Sequence, residues 1–543
     1  MQRILPQLDV LVVDCQATAA APRGHLLELG WARVGTTVTD VHTRLITLPE
    51  SERIPPAVAR ITGISERMMR DGVEASVAWR ELSDQAAAFA HQPAPTVIHF
   101  ARFERPFLRV LAGDAPLLDV VCTHDIARRL LPDLPRRSLR ALAGYFGRAV
   151  GVLRRSGDHV AATAFVWREL VQLLDANGVS TWSALGEWLA APVGSAKRSR
   201  RVWPMPRDVR LAIPDAPGIY RMLRTSGDVL YVGKASSLHH RVNSHFRHQH
   251  GLAERTLEML SQARAISFEV TASVLEAALL EADEIKGHRP PYNVALTDDD
   301  RAVWFTRPDL GGRRPHASAR CRVGPFSSAE TLDQFASLAR ANRAALGRGR
   351  WAPDAAIFDA GFARLCAAHH ELSRQDLPMP ARLLLLGARL WREGRRDRDT
   401  DVAGVTDDRV TAWTPETAQA ALERLVIRAS LARRRARWLT RLVDATVLWS
   451  EPGEASARLL IIDNGEIAFR GAAGANMTPP IPAGHRRPIA SRHQAFTIAR
   501  FDRLRVLTTE LKRLVAAEAS VAVRFDVAPP LADARLASAL SWV

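Results

Sequence analysis

The stretch Gly218–Ala235, GIYRMLRTSGDVLYVGKA, reads as two short strands joined by the turn RTSGD. Tyr220 closes the first tripeptide and Tyr231 opens the second, so the hairpin brings two phenols to one small sheet. A phenol with a pKa of ~10 acts as a base only beside a cation or metal. Lys234 follows Tyr231 by three residues, and Arg241 lies in the helical stretch SLHHRVNSHFRHQ. Downstream come a strand, AISFEVTA, a helix, LEAALLEADEIKGH, that carries Glu281, and then Asn293. Taken singly, these residues are ordinary core tyrosines and surface charges; their joint order carries the signal.

YVGKASSLHHRVNSHFR and LEAALLEADEIKGHRPPYNVAL together resemble the GIY-YIG nucleases, most closely the UvrC and Cho type. The resemblance implies a phosphodiester-cleaving domain over 211–296. Glu281 would hold one Mg²⁺ (or Mn²⁺), Arg241 would clamp the phosphate, Tyr220 or Tyr231 would deprotonate water, Lys234 would supply a field, and Asn293 would position groups by hydrogen bonding. His245 stands where that pattern has tyrosine. CRVGPFSSAETLDQFASLARANRA resembles the segment that follows the UvrC nuclease domain and sets an extension over 297–349. The UvrC cysteine cluster and helix–hairpin–helix repeat are missing.

Toward the N-terminus, residues 1–176 alternate strands and helices in an α/β manner. VLVVD is a buried strand, LLELGWARVG and VTDVHTRLITL form a hairpin, and TVIHF is a short strand. LDVLVVDCQAT, RIPPAVARITGIS, TVIHFARFERPFL and RRSGDHVAATAF resemble, in order, the DnaQ-like DEDD 3′–5′ exonucleases, which have an RNase H-like fold. On that resemblance Asp14 keeps the first acid, Gln16 replaces the second, Glu104 stands for the third and Asp158 matches the last. Leu153 occupies the place of the base histidine, His159 is expected to turn away from the site, and His99 could substitute as the base but is expected to pack at its strand end. An amide is a poorer Mg²⁺ ligand than a carboxylate, and loss of a general base costs typically ~10²–10⁴-fold. The exonuclease chemistry is therefore expected to be degenerate.

The 543 residues carry 74 Lys and Arg against 58 Asp and Glu, a formal charge of +16 that favours DNA or another polyanion as partner. No window reaches ~18 uninterrupted apolar residues, and four scattered cysteines form no CxxC pair. These features predict a reduced cytoplasmic, nucleoid-associated protein with no membrane segment and no small-molecule cofactor. Residues 177–210, with the run Lys197–Arg201, read as a linker, and 350–543 as a mixed, mostly helical α+β region. There Arg433, Arg434, Arg435 and Arg437, beside Trp438, could track a DNA backbone with the indole stacking on a base, or form a solvated helix face over a core tryptophan.

The leading expectation is a DNA-repair endonuclease making excision-repair-like incisions, with the first domain binding DNA or a partner. Excision-repair or replication proteins and an SOS-response setting accompany it. Two alternatives stand beside it: a bifunctional exonuclease and endonuclease, and a non-catalytic DNA-binding or replisome-interaction protein.

Overall fold

The computed structural model describes residues 3–35, 40–113, 117–192, 203–247, 252–296, 302–340, 355–396, 413–452, 456–474 and 477–543. The run Lys197–Arg201 lies outside them. The chain divides into two compact units, Met1–Ala272 with His288–Asn293, and Ser273–Gly287 with Val294–Val543.

The first unit begins with a five-stranded sheet built from β1 (Val10–Ala17), β2 (Leu26–Val34), β3 (His42–Leu45), β4 (Ala94–Ile98) and β5 (Leu118–Cys122), in the order β3-β2-β1-β4-β5. The β1, β2 and β3 strands pair antiparallel; β4 and β5 join in parallel. β1 is buried from Val10 to Cys15 and β4 along its whole length, because both sheet faces are covered. Helices α1 (Pro56–Thr62), α2 (Ala75–Ala87), α3 (Ala101–Ala112), α4 (Thr123–Leu130), α5 (Leu139–Tyr145) and α6 (Ser156–Ala176) complete the RNase H-like fold. The expected linker differs at its start. Thr181 caps a further helix, α7 (Trp182–Ala190), whose Trp182 and Leu185 are buried in the same core as Leu170 and Leu174. Apolar spacing within a Gly- and Ser-bearing stretch concealed that helix.

After α8 (Arg207–Leu211) comes the second sheet of this unit. It is formed by β6 (Gly218–Leu223), β7 (Val229–Ala235) and β8 (Ala265–Val270), with β6 central and both pairings antiparallel. Between β7 and β8 lie α9 (Leu238–His245) and α10 (Glu254–Gln262).

The second unit opens with α11 (Val274–His288). Helical spacing of about 100° per residue gathers Leu275, Glu276, Leu279, Asp283 and Lys286 on one face and sets Glu281 on the opposite side. Leu275 and Leu279 join a core with Trp438, Leu442 and Leu460. Glu276 pairs with Arg458 at 2.6 Å, Asp283 with Arg503 at 2.9 Å and Lys286 with Asp502 at 3.1 Å. Next come β9 (Trp304–Thr306), β10 (Val323–Phe326), α12 (Ala329–Ala339), α13 (Ala355–Ala368), α14 (Met379–Arg396) and the long α15 (Pro415–Leu442). An antiparallel sheet follows, from β11 (Ala445–Ser450), β12 (Ala457–Asp463), β13 (Glu466–Ala473), β14 (Ser520–Arg524) and β15 (Leu531–Ala532). It is accompanied by α16 (Ile489–Gln494), α17 (Ile498–Ala516) and α18 (Asp533–Leu540).

The arginine-rich helix resolves against base stacking. Trp438 is 5% exposed, and its Nε1 donates to Thr508 Oγ1 at 3.0 Å. Arg434 lies 3.7 Å over the Trp542 ring, and Arg435 donates to the Val543 carbonyl. Burial lowers Arg433, Arg434 and Arg435 from their ordinary pKa. Arg434, Arg435 and Arg437 remain exposed on the helix face.

Candidate active sites

In the small sheet, Tyr220 faces Gly233 across the β6–β7 pair, and Tyr231 faces Met222. A Cβ on Gly233 would stand 2.6 Å from the Tyr220 oxygen and 2.8 Å from a Tyr231 ring carbon, so the glycine is what admits both rings. Their centroids are 6.0 Å apart. Tyr220 is fully buried and Tyr231 partly exposed.

Helix α9, capped by Ser237 on His240 N, carries Arg241 and His245 to the same place. The guanidinium is held above its usual pKa first by Tyr220, with burial opposing and Tyr231 adding. Tyr220 Oη and His245 Nε2 are 2.7 Å apart. Burial, and then Arg241, pushes His245 down to about 4, so at pH 7 the ring paired with the phenol is neutral. His245 thus fills the place of the expected tyrosine with a neutral imidazole bonded to Tyr220.

Asn293 is buried and braces β7 twice: its Oδ1 accepts from Val232 N at 2.9 Å, and its Nδ2 donates to Val232 O at 2.8 Å. Val232 lies between Tyr231 and Gly233, so the amide fixes the strand that holds both tyrosines. Lys234 follows on β7, partly buried and across from Ile219. Glu281, partly buried, stands on α11 in the second unit. A single carboxylate suits Mg²⁺, which keeps several waters. Sequence reasoning passed over Tyr292 and Glu258. The phenol of Tyr292 donates to Glu258 Oε1 at 2.7 Å, and the PPYN stretch, with its tyrosine next to Asn293, was the available signal.

The exonuclease-type site gathers at the end of β1. Asp14 is 5% exposed and lies across from Gly30 of β2. Ser156 presses on Gly30, where a Cβ would come within 2.7 Å of its hydroxyl. Glu28 anchors the start of α6, accepting from Ser156 N at 2.8 Å and from Arg155 Nε at 3.0 Å.

That anchoring sets the helix rotation and corrects one expectation. His159 does not turn away: its Nδ1 lies 3.2 Å from Asp14 Oδ1. Asp158 instead accepts from Arg154 N and Arg155 N at 3.3 and 3.2 Å, as the box that starts the helix. Leu153 packs on the apolar core. Gln16 Nε2 donates to Asp14 Oδ2 at 2.8 Å, so both Asp14 oxygens are engaged by protein groups.

Glu104 is 3% exposed, and its carboxyl is pushed well above the usual range by burial and then by Asp14. His99 is buried, bonded through Nδ1 to Thr123 Oγ1 at 2.9 Å, and lowered to about 3 by burial. Among the described residues no group of three His, Cys, Asp or Glu could hold a metal ion.

Fold and sites define a protein that joins an RNase H-like α/β domain to a compact α+β domain with a tyrosine–arginine centre. The chain carries an exonuclease-family domain, matched over residues 11–150, followed by a UvrC-like GIY-YIG domain, matched over 216–294. A Mycobacterium tuberculosis protein named as a candidate bifunctional exonuclease/endonuclease is 30% identical over 359 residues, 62% of this chain and 52% of that protein. The UvrABC system protein C of Sphingopyxis alaskensis is 44% identical over 133 residues, 23% of this chain and 20% of that protein. The magnesium-bound GIY-YIG domain of Thermotoga maritima UvrC is 32% identical and covers 17% of this chain and all of that one, with a TM-score of 0.15. The chain thus spans about half of the mycobacterial relative and a fifth of the Sphingopyxis one. No helix among the described residues is long and apolar enough to cross a membrane.

Proposed function

We propose that this chain is a Mg²⁺-dependent DNA endonuclease whose cutting centre comprises Tyr220, Tyr231, Lys234, Arg241, Glu281 and Asn293. The observation that carries this reading is the convergence of Tyr220, Tyr231, Arg241 and His245 on one hairpin and helix, within the segment matched to UvrC-like GIY-YIG domains. Phosphodiester hydrolysis bonds a water oxygen to phosphorus and breaks the bond to one ester oxygen. Tyr231, the more exposed phenol, acts as its phenolate and takes the water's proton, and solvent water protonates the departing oxygen. Tyr220 stays hydrogen-bonded to neutral His245, and Arg241 stabilises negative charge on the phenols and on the phosphate. Glu281 would hold the metal, which polarises the phosphate when bound. Asn293 keeps β7 in place, and Lys234 adds positive potential.

The substrate we propose is damaged or distorted duplex DNA, cut in the manner of excision repair inside a bacterial cytoplasm, with excision-repair or replication proteins as partners. The exonuclease-family domain serves as a DNA- or partner-binding module, which the engagement of Asp14 by His159 and Gln16 supports. An end-labelled damaged duplex incubated with Mg²⁺ tests this. Wild type nicks it, and Glu281→Ala and Tyr231→Phe do not; nicking that survives both substitutions refutes the assignment. A bifunctional nuclease is the second reading, favoured by the name of the mycobacterial relative. It requires a labelled 3′ end that shortens in wild type and not in Asp14→Ala.

A further inference from the structure

Where the exonuclease-family domain meets the GIY-YIG domain, one carboxylate bonds to both. Glu258 on α10 accepts from Ser138 Oγ at 2.8 Å and pairs with Arg140 Nη1 at 3.1 Å; both partners belong to the α5 region of the first domain. The same carboxylate accepts from the Tyr292 phenol at 2.7 Å. Gln262, one turn along α10, donates to that phenol and accepts from Arg224 Nε at 3.1 Å.

Packing around this network is close. A Cβ on Gly144 of α5 would fall 1.9 Å from the Gln262 side-chain oxygen. Arg136 N donates to Ser261 Oγ at 2.9 Å, and Arg264 lies 4.2 Å over the Tyr145 ring. Tyr292 is 5% exposed, and its neighbour Asn293 makes both hydrogen bonds to Val232, between Tyr231 and Gly233. Arg255 closes the segment, donating to Pro291 O at 2.7 Å and Asn293 O at 3.2 Å.

We infer that the exonuclease-family domain positions the endonuclease centre, through a relay from Ser138 and Arg140 to Glu258, Tyr292, Asn293 and the Tyr231 strand. A domain whose own acids are engaged elsewhere thereby keeps a task, holding the 290–293 segment that pins β7. Arg140, Glu258 and Tyr292 are positioning residues in this scheme. The inference rests on the reading of Tyr220 and Tyr231 as the cutting site only for its effect on rate; the effect on β7 is independent of it.

The test uses full-length Arg140→Ala, Tyr292→Phe, the Arg140→Ala/Tyr292→Phe double variant, Glu258→Gln, and Arg44→Ala, which breaks an ion pair with Glu81 in the same domain. Amide exchange is measured over Val229–Ala235, and nicking kcat and KM on damaged duplex. Loss of a net hydrogen bond is on the order of tenfold in an equilibrium. Arg140→Ala and Tyr292→Phe are therefore expected to speed exchange at Val232 about tenfold and lower kcat comparably, with KM unchanged. The double variant adds little, because both act through Glu258. Glu258→Gln, which keeps an acceptor, stays near wild type, as does Arg44→Ala. Unchanged exchange in Arg140→Ala, or an equal effect of Arg44→Ala, overturns the inference. A wild type that exchanges as expected but never nicks overturns the nuclease reading and leaves the brace standing.

Discussion

His245 and His99 are two groups through which pH reaches the first unit. Both are more basic in an unfolded chain, near 6.5, than in the fold, where they sit at about 4 and about 3. The unfolded state therefore binds more protons between these limits, and stability rises with pH there. The contribution is complete above pH 6.5 and is lost as pH falls toward 4 and then 3. A shift of His245's size corresponds to roughly 3 kcal/mol. Thermal unfolding should give a lower Tm at pH 5 than at pH 7, and His245→Gln, which keeps an acceptor without titrating, should flatten part of that slope. An unaltered slope would remove His245 from the account. At Asp14, the variant Gln16→Glu/His159→Asp adds two carboxylates where an amide and an imidazole now sit. It is expected to bind Mg²⁺ by calorimetry where Gln16→Glu alone binds more weakly, and equal affinities would show that His159 does not guard the site.

Helices decide which of these residues meet. The β6–β7 hairpin, the two tyrosines and Arg241 were legible because they are local: a turn, a period of two and a capped helix, all within 28 residues of sequence from Gly218 to His245. His159 was not, because a one-residue change at a helix start rotates a side chain by about 100°, and only the Glu28 anchor fixes that start. The ties of α11 were equally hidden, since Arg458, Asp502 and Arg503 are remote in sequence. Arg458→Ala would leave the Glu276 carboxylate, 7% exposed, without its cation. Breaking a buried pair from one side costs ~3–5 kcal/mol, so urea denaturation should show a clear loss of stability, partly recovered by Glu276→Gln in the same chain. Trp438→Ala should cost ~3–5 kcal/mol as a core cavity. Its effect on DNA affinity, measured on folded protein, should be nil, because the indole faces Thr508 and not solvent.

Across the whole molecule the excess of basic residues speaks to association and says little about fold. Affinity for undamaged duplex should fall linearly with salt on logarithmic axes, by ~0.9 per phosphate contacted. A flat titration would show that the +16 charge is dispersed away from any DNA-facing surface. The residues beyond 350 gave the weakest sequence signal because their strands pair across long separations, β11 with β14 for instance. Their place in the molecule nonetheless has a consequence for how the protein is made. The helix bearing Glu281 finishes translation early, yet its cationic and acidic partners at 458, 502 and 503 leave the ribosome some 180 to 220 residues later. A nascent or prematurely terminated chain therefore carries the paired tyrosines without the ties that steady the helix bearing Glu281. On the proposed reading of Glu281 as metal ligand, synthesis itself would then act as a safety catch, withholding a competent centre until residues 502 and 503 have emerged.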